Sequence, residues 1–242
     1  NNRNQQPQQQ LQQQMQNTMF RRTAPTTTTI SFSSSSRIQN NDFNTPIKMD
    51  IPPLSRSSTI PSSTSPTQLI VREKLFSWSG DDFRIRNAVD GRPYQSGVYV
   101  KGKVFGFRDQ MTIMNPTEPQ RPIAVCLRKF EFIGQTFKIY TLEPLYVGQT
   151  PSDRKYNGIP LYTYAKVERI PFSRQQQVTF ANQTTPTMTI TRQGWFPKRR
   201  VVTYKGQTVS LMEGGTWLNS PFNTYRLTTL SGVDPLFIVC LT

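Results

Sequence analysis

From Leu69 onward the chain alternates apolar and polar residues in short runs broken by turn-forming residues. That period of two is the pattern of half-buried β-strands. Phe83 and Ile85 alternate with Arg84 and Arg86, and Val98, Val100 and Val104 with Tyr99, Lys101 and Lys103. Ile123, Val125 and Leu127 are opposed to Ala124, Cys126 and Arg128, and Phe137 and Ile139 to Lys138 and Tyr140. The later runs LYTYAKVE, TMTITR, RRVVTY, QTVSLM and YRLTTL continue it more weakly. Asp90-Gly91, Asn115-Pro116, Asn157-Gly158, Lys205-Gly206 and Gly214-Gly215 fall between the runs with turn chemistry. So many short strands predict a mainly β barrel or sandwich.

Two regions of unlike composition divide the 242 residues. Residues 1–66 are rich in Asn, Gln, Ser, Thr and Pro, including QQPQQQLQQQMQ and TAPTTTTISFSSSS. They hold too little apolar surface to offset the entropy of ordering, which predicts a disordered tail. Residues 67–242 carry most of the aromatic and β-branched residues, enough for one domain. At the C-terminus, Asp234-Pro235 before LFIVCL reads as an N-cap, a proline at the first helical position and a helix apolar all round, which must be buried. A strand over LFIVCL is the alternative.

The usual catalytic groupings are missing. With no histidine, the commonest general base, the usual triads and most transition-metal sites are gone. Cys126 and Cys240 lie too far apart for zinc spacing, are too few for a disulfide framework, and sit in apolar runs as ordinary buried thiols. They favour a reducing, intracellular site, cytoplasmic or peripheral to a membrane, with the nucleus as the alternative. Gly102 to Gly106 (GKVFG) lacks the ending and context of a phosphate loop. Asp81 and Asp82 are adjacent, so on a strand they point to opposite faces and do not converge on one water or metal. They read as a turn feeding FRIRNA. The expectation is a protein that is not an enzyme and takes neither cofactor nor metal.

Charge is the positive signal. Lys+Arg number 29 against 14 Asp+Glu, a formal +15. Six basic and two acidic residues before residue 67 leave +4 there and +11 in the remainder. Arg84, Arg86, Lys101, Lys103, Arg128, Lys138 and Lys166 take strand positions opposite the apolar face. Most acids (Asp81, Asp82, Asp90, Asp109, Glu118, Glu143, Asp153 and Asp234) fall at connections. The pattern predicts a cationic outer wall with anionic rims. Arg84/Arg86 and Lys101/Lys103 are spaced so that each pair shares a face and can hold one phosphate. RQGWFPKRR adds Lys198, Arg199 and Arg200 beside Trp195 and Phe196, which suits an interfacial membrane contact or stacking on single-stranded nucleic acid. The expected partners are an anionic membrane lipid or a phosphorylated ligand, with nucleic acid as the alternative. No run approaches the ~20 apolar residues of a membrane span, and no secretory signal is visible.

REKLFSWSGDDFRIRNAVDGRPY, YVKGKVFGFRDQMTIM, PIAVCLRKF, TFKIYTL and the closing NTYRLTTLSGVDPLFIVCLT resemble the LURP-one-related family. That family is a branch of the tubby C-terminal-like superfamily, which also includes phospholipid scramblases. The resemblance covers residues 67–242 and implies a twelve-stranded, closed antiparallel barrel around a hydrophobic C-terminal helix. LFIVCL would be the first turns of that helix, truncated at Thr242, so the natural chain is expected to continue. The family brings no catalytic residues. Tubby relatives bind phosphoinositides through basic barrel residues and scramblases are membrane proteins, but neither set of binding positions is carried onto this sequence. What the resemblance implies is a non-enzymatic binding module, with a scramblase-like lipid transporter as an alternative.

Overall fold

In a computed structural model of the chain, residues 49–54, 66–73, 83–103, 110–131, 134–194, 199–214 and 224–241 are described. All belong to one compact unit, Ser33–Thr242. Residues 1–48, the bulk of the expected tail, lie outside the described residues, as do Asp81, Asp82, Trp195, Phe196 and Lys198.

Among the described residues the strands are β1 (Thr67–Glu73), β2 (Phe83–Asn87), β3 (Tyr99–Lys103), β4 (Gln110–Met114), β5 (Pro122–Glu131), β6 (Gly134–Thr141), β7 (Lys155–Tyr156), β8 (Ile159–Pro160), β9 (Tyr162–Arg169), β10 (Gln175–Phe180), β11 (Met188–Gln193), β12 (Arg199–Tyr204), β13 (Gln207–Gly214) and β14 (Thr224–Thr229). β7 and β8 form a separate small hairpin. The other twelve close into an antiparallel barrel in the order β1-β14-β13-β12-β11-β10-β9-β6-β5-β4-β3-β2. Closure leaves no sheet edge unpaired. The sharp hairpin turns follow from Asn157-Gly158 and Lys205-Gly206, whose paired positive φ values (48° and 81°; 48° and 83°) match the right-handed twist of the strands they join.

The last element, α1 (Pro235–Cys240), is a helix as expected. Asp234 caps it through a 2.8 Å bond from the Leu236 amide, and Pro235 sits where no amide is needed. Every α1 residue is buried. Phe237 packs against Tyr164 of β9 and Phe180 of β10, with ring centroids 5.6 and 5.3 Å away. Past its other end, Arg200 of β12 donates a 3.0 Å bond to the Leu241 carbonyl. The helix therefore fills the barrel, supplying the apolar contact that inward-facing Leu69, Ile85, Ile113, Ile139, Ile190 and Leu227 require. Burying each large side chain contributes on the order of 1.5–3 kcal/mol.

Composition assigns residues 49–54 to the tail, yet in the structure they pack on the barrel. Ile51 and Leu54 are buried, the Tyr164 hydroxyl donates to the Pro52 carbonyl at 2.7 Å, and the Leu54 amide donates to Asp234 Oδ2 at 2.9 Å. Two apolar side chains and two hydrogen bonds suffice to order a strap whose prolines limit its freedom in the unfolded state.

The phase of β5 also differs from expectation. Ala124 and Cys126 face the helix, whereas Val125 lies in a second buried cluster with Tyr140 and Leu161, against which Leu127, Leu142 and Tyr156 pack. The 142–161 connection covers the outer side of β5. Both faces are thus apolar, and the smaller side chains take the side crowded by α1. Arg128, which shares its face with Cys126, is consequently on the inward phase rather than the outer wall.

Candidate functional site

The register sorts the expected basic residues into separate groups. Ile85 is buried on β2, so Arg84 and Arg86 project outward and are exposed. Arg84 pairs with Arg72 of β1 on one side and Tyr99 of β3 on the other. Lys101 shares the outer face with Tyr99 and is also exposed. It is therefore diagonal to Arg84, a separation of roughly 7–8 Å. The Cα register thus sets two arginines directly opposite each other on adjacent strands. Arg86 is partly committed elsewhere, donating to the Gly91 carbonyl at 3.2 Å across the β2–β3 turn. The β3 backbone places Lys103 on the same outer phase as Lys101, but its side chain lies outside the described residues.

The remaining cations do not join this group. Lys138 is outward on β6, opposite Lys166 of β9. Lys166 is bound to Glu168 at 2.7 Å. Arg199 stands outward on β12 and pairs with Glu213 at 3.9 Å. Arg200 and Arg128 take inward-phase positions near the strand ends, Arg200 half-buried and Arg128 exposed. Burial lowers the Arg200 pKa, and the charges of Arg192 and Arg128 push it further down against the opposing effect of Tyr225. Its bond to the Leu241 carbonyl places a cation at the negative end of the helix dipole.

A stronger asymmetry runs along the barrel axis. The near rim, where α1 enters, carries Asp50, Asp90, Glu118, Glu143, Asp153 and the buried Asp234, against Arg92, Arg121, Arg154, Lys155 and Lys205. Lys205 reaches Asp50 at 3.2 Å. The far rim has Arg128, Arg169, Arg174, Arg192 and Arg200 on inward-phase or turn positions. The backbone of Glu73 ends β1 and that of Glu131 ends β5 at this rim, while Glu168 and Glu213 lie on the outer wall and are bound to cations. Of the acids expected at connections, Asp90, Glu118, Glu143, Asp153 and Asp234 fall at the rim where α1 enters, while Asp81, Asp82 and Asp109 lie outside the described residues.

Among the described residues no group of three or more His, Cys, Asp or Glu could hold a metal ion. No helix there is long and apolar enough to cross a membrane. Burial pushes the Cys240 thiol well up, and its neighbour Cys126 adds to the shift.

The twelve-stranded closure around a buried C-terminal helix is the architecture that the family resemblance implies, and the family model described as LURP-one-related matches residues 67–242. The chain belongs to the LURP-one-related family. No curated protein matches it, and no solved structure does. Membership is consistent with a non-enzymatic binding module. Arg72, Arg169 and Arg174 were absent from the residues singled out by sequence, and Arg192 entered only as the first residue of RQGWFPKRR. The alternation of Leu69 and Val71 already marks Arg72 as outward, but Arg169, Arg174 and Arg192 come together only once the register is known.

Proposed function

We propose that this LURP-one-related protein is a non-enzymatic binding module for anionic phospholipid headgroups. The observation that supports it most is the outward cluster of Arg72, Arg84 and Lys101 on three consecutive strands, with Arg84 directly across from Arg72. Three cations on one rigid face suit a doubly charged phosphate better than scattered lysines do, because two guanidinium groups can each donate a pair of bonds to it. Lys103 extends the row along β3, and Arg86 flanks it while holding the adjacent turn.

Sedimentation of residues 1–242 with vesicles tests this reading. Phosphatidylcholine alone, phosphatidylcholine with phosphatidylserine, and phosphatidylcholine with a phosphoinositide are compared at low and moderate salt. Binding that requires the anionic lipid and falls on changing Arg72, Arg84 and Lys101 together to alanine supports the module. Equal, negligible sedimentation with all three compositions at low salt rejects it. Nucleic acid, the competing polyanion, is distinguished by titration with single-stranded RNA, where affinity should fall steeply with salt if phosphates dominate.

A further inference from the structure

The strap of residues 49–54 is held as a peptide ligand is held. Its core runs Asp50, Ile51, Pro52, Pro53, Leu54. Ile51 and Pro52 each precede a proline, which confines both to extended or polyproline conformations. A polyproline segment turns once every three residues, so Ile51 and Leu54 fall on one side of it. Burial follows that period: Ile51 and Leu54 are buried, Pro53 is half-buried and Pro52 is exposed. Such a backbone makes no hydrogen bonds to itself, and its carbonyls are open to whatever surface receives it.

Side chains from separate elements make that surface. Tyr164 of β9 donates its hydroxyl to the Pro52 carbonyl at 2.7 Å, and Asp234, just before α1, accepts the Leu54 amide at 2.9 Å. Lys205, in the β12–β13 turn, reaches Asp50 at 3.2 Å. Ile51 and Leu54 enter the core cluster that also holds Tyr94, Tyr164 and Tyr204. Tyrosines below, a hydroxyl donor for a carbonyl and a cation for an acidic flank are the groups that receive a proline-rich segment. The rim around this seat is known in full between strands, since connections 88–98, 115–121, 142–161, 181–187 and 205–206 all lie among the described residues.

The hold on the strap is modest. Among the described residues it joins no strand of the barrel, and its ion pair with Lys205 is solvent-exposed and contributes little. A segment secured by two apolar side chains and two buried hydrogen bonds belongs to the part of a fold that opens most easily. Residues 55–65 join it to β1, so after release it stays near its seat at an effective concentration on the order of millimolar. Any competitor meets a tethered rival.

We infer that the near rim is a docking groove for an extended partner segment of the strap's own chemistry, an acidic residue, an aliphatic, two prolines and a second aliphatic, and that the strap occupies the groove as an autoinhibitory plug. The groove is separate from the Arg72–Arg84 cluster, and the inference does not depend on the headgroup reading.

The test uses residues 1–242 and a fluorescent peptide, KMDIPPLSR, which is residues 48–56, with binding read by anisotropy. Ile51→Ser combined with Leu54→Ser empties the groove and should bind the peptide about tenfold or more tightly than the wild type, whose own strap competes. Adding Tyr164→Phe should weaken that binding about fivefold, through loss of one hydrogen bond. A peptide with both prolines changed to glycine should bind about tenfold more weakly, because it is no longer pre-organised. No saturable binding to the double variant, or equal binding to it and to the wild type, overturns the inference. If the double variant loses its cooperative thermal transition, Ile51→Ala takes its place and should still bind more tightly than the wild type. No gain there overturns the inference equally. If the double variant takes up wild-type chain as a mixed dimer on gel filtration, the occupant is the strap of a second copy, and docking of a different partner falls.

Discussion

The Leu54 amide and the Asp234 carboxylate, 180 residues apart, meet at 2.9 Å beneath the barrel. The same carboxylate caps α1 through Leu236. One buried side chain therefore fixes both the strap and the central helix, and its charge state matters to both.

Burial raises the Asp234 pKa above 3.8, even though backbone amides of Leu54, Leu236 and Phe237 pull it down. An acid with a raised folded-state pKa contributes stability that is complete below its unfolded pKa and lost as pH rises through the folded value. The wild type should therefore lose this contribution on going from about pH 4 toward neutrality. Urea titrations of wild type and Asp234→Asn across that range should show the difference, because asparagine caps the helix without titrating. Parallel pH profiles for the two proteins would contradict the assignment.

The strap should be separable from the core. Tyr164→Phe removes the hydroxyl bonded to Pro52 and should cost about 1 kcal/mol. Phe237→Ala, which empties the centre of the Tyr164–Phe180–Phe237 cluster, should cost about 3–5 kcal/mol. Limited proteolysis should cut Tyr164→Phe faster within residues 49–54 while leaving the barrel intact. Cleavage of barrel and strap at equal rates would mean the strap is not a separate unit.

Cys126 and Cys240 are both buried out of reach of reagents, and burial pushes the Cys240 thiol up, so Cys240 should not form thiolate readily. A thiol-reactive dye should label neither in the native protein at neutral pH and both in denaturant. Rapid native labelling of Cys240 would show that α1 leaves the barrel.

Arg84 and Arg86 look equivalent in sequence but do different work. Arg84→Ala should weaken binding to anionic vesicles and reduce its salt dependence, with little effect on stability. Arg86→Ala should alter binding less and loosen the β2–β3 turn, because its guanidinium holds the Gly91 carbonyl. Vesicle sedimentation together with thermal melting of each variant separates the two. Equal binding losses would place Arg86 in the headgroup contact as well.

Strand alternation was legible because most strands press one face on α1 and turn the other to water. It failed at β5, where the 142–161 connection gives Val125 and Leu127 an apolar cover and makes both faces look like core. Arg128 was misplaced for the same reason. Arg200 escapes the pattern because it lies near the rim, where a long side chain can occupy an inward position and still satisfy its charge. The strap is hidden by averaging: Ile51 and Leu54 are two apolar residues in a polar window, and only their contacts reveal them.

The strap joins the barrel at the near rim. A partner that drew the strap off would strip the Asp234 carboxylate of one amide donor, and so reach the helix inside the barrel without touching it.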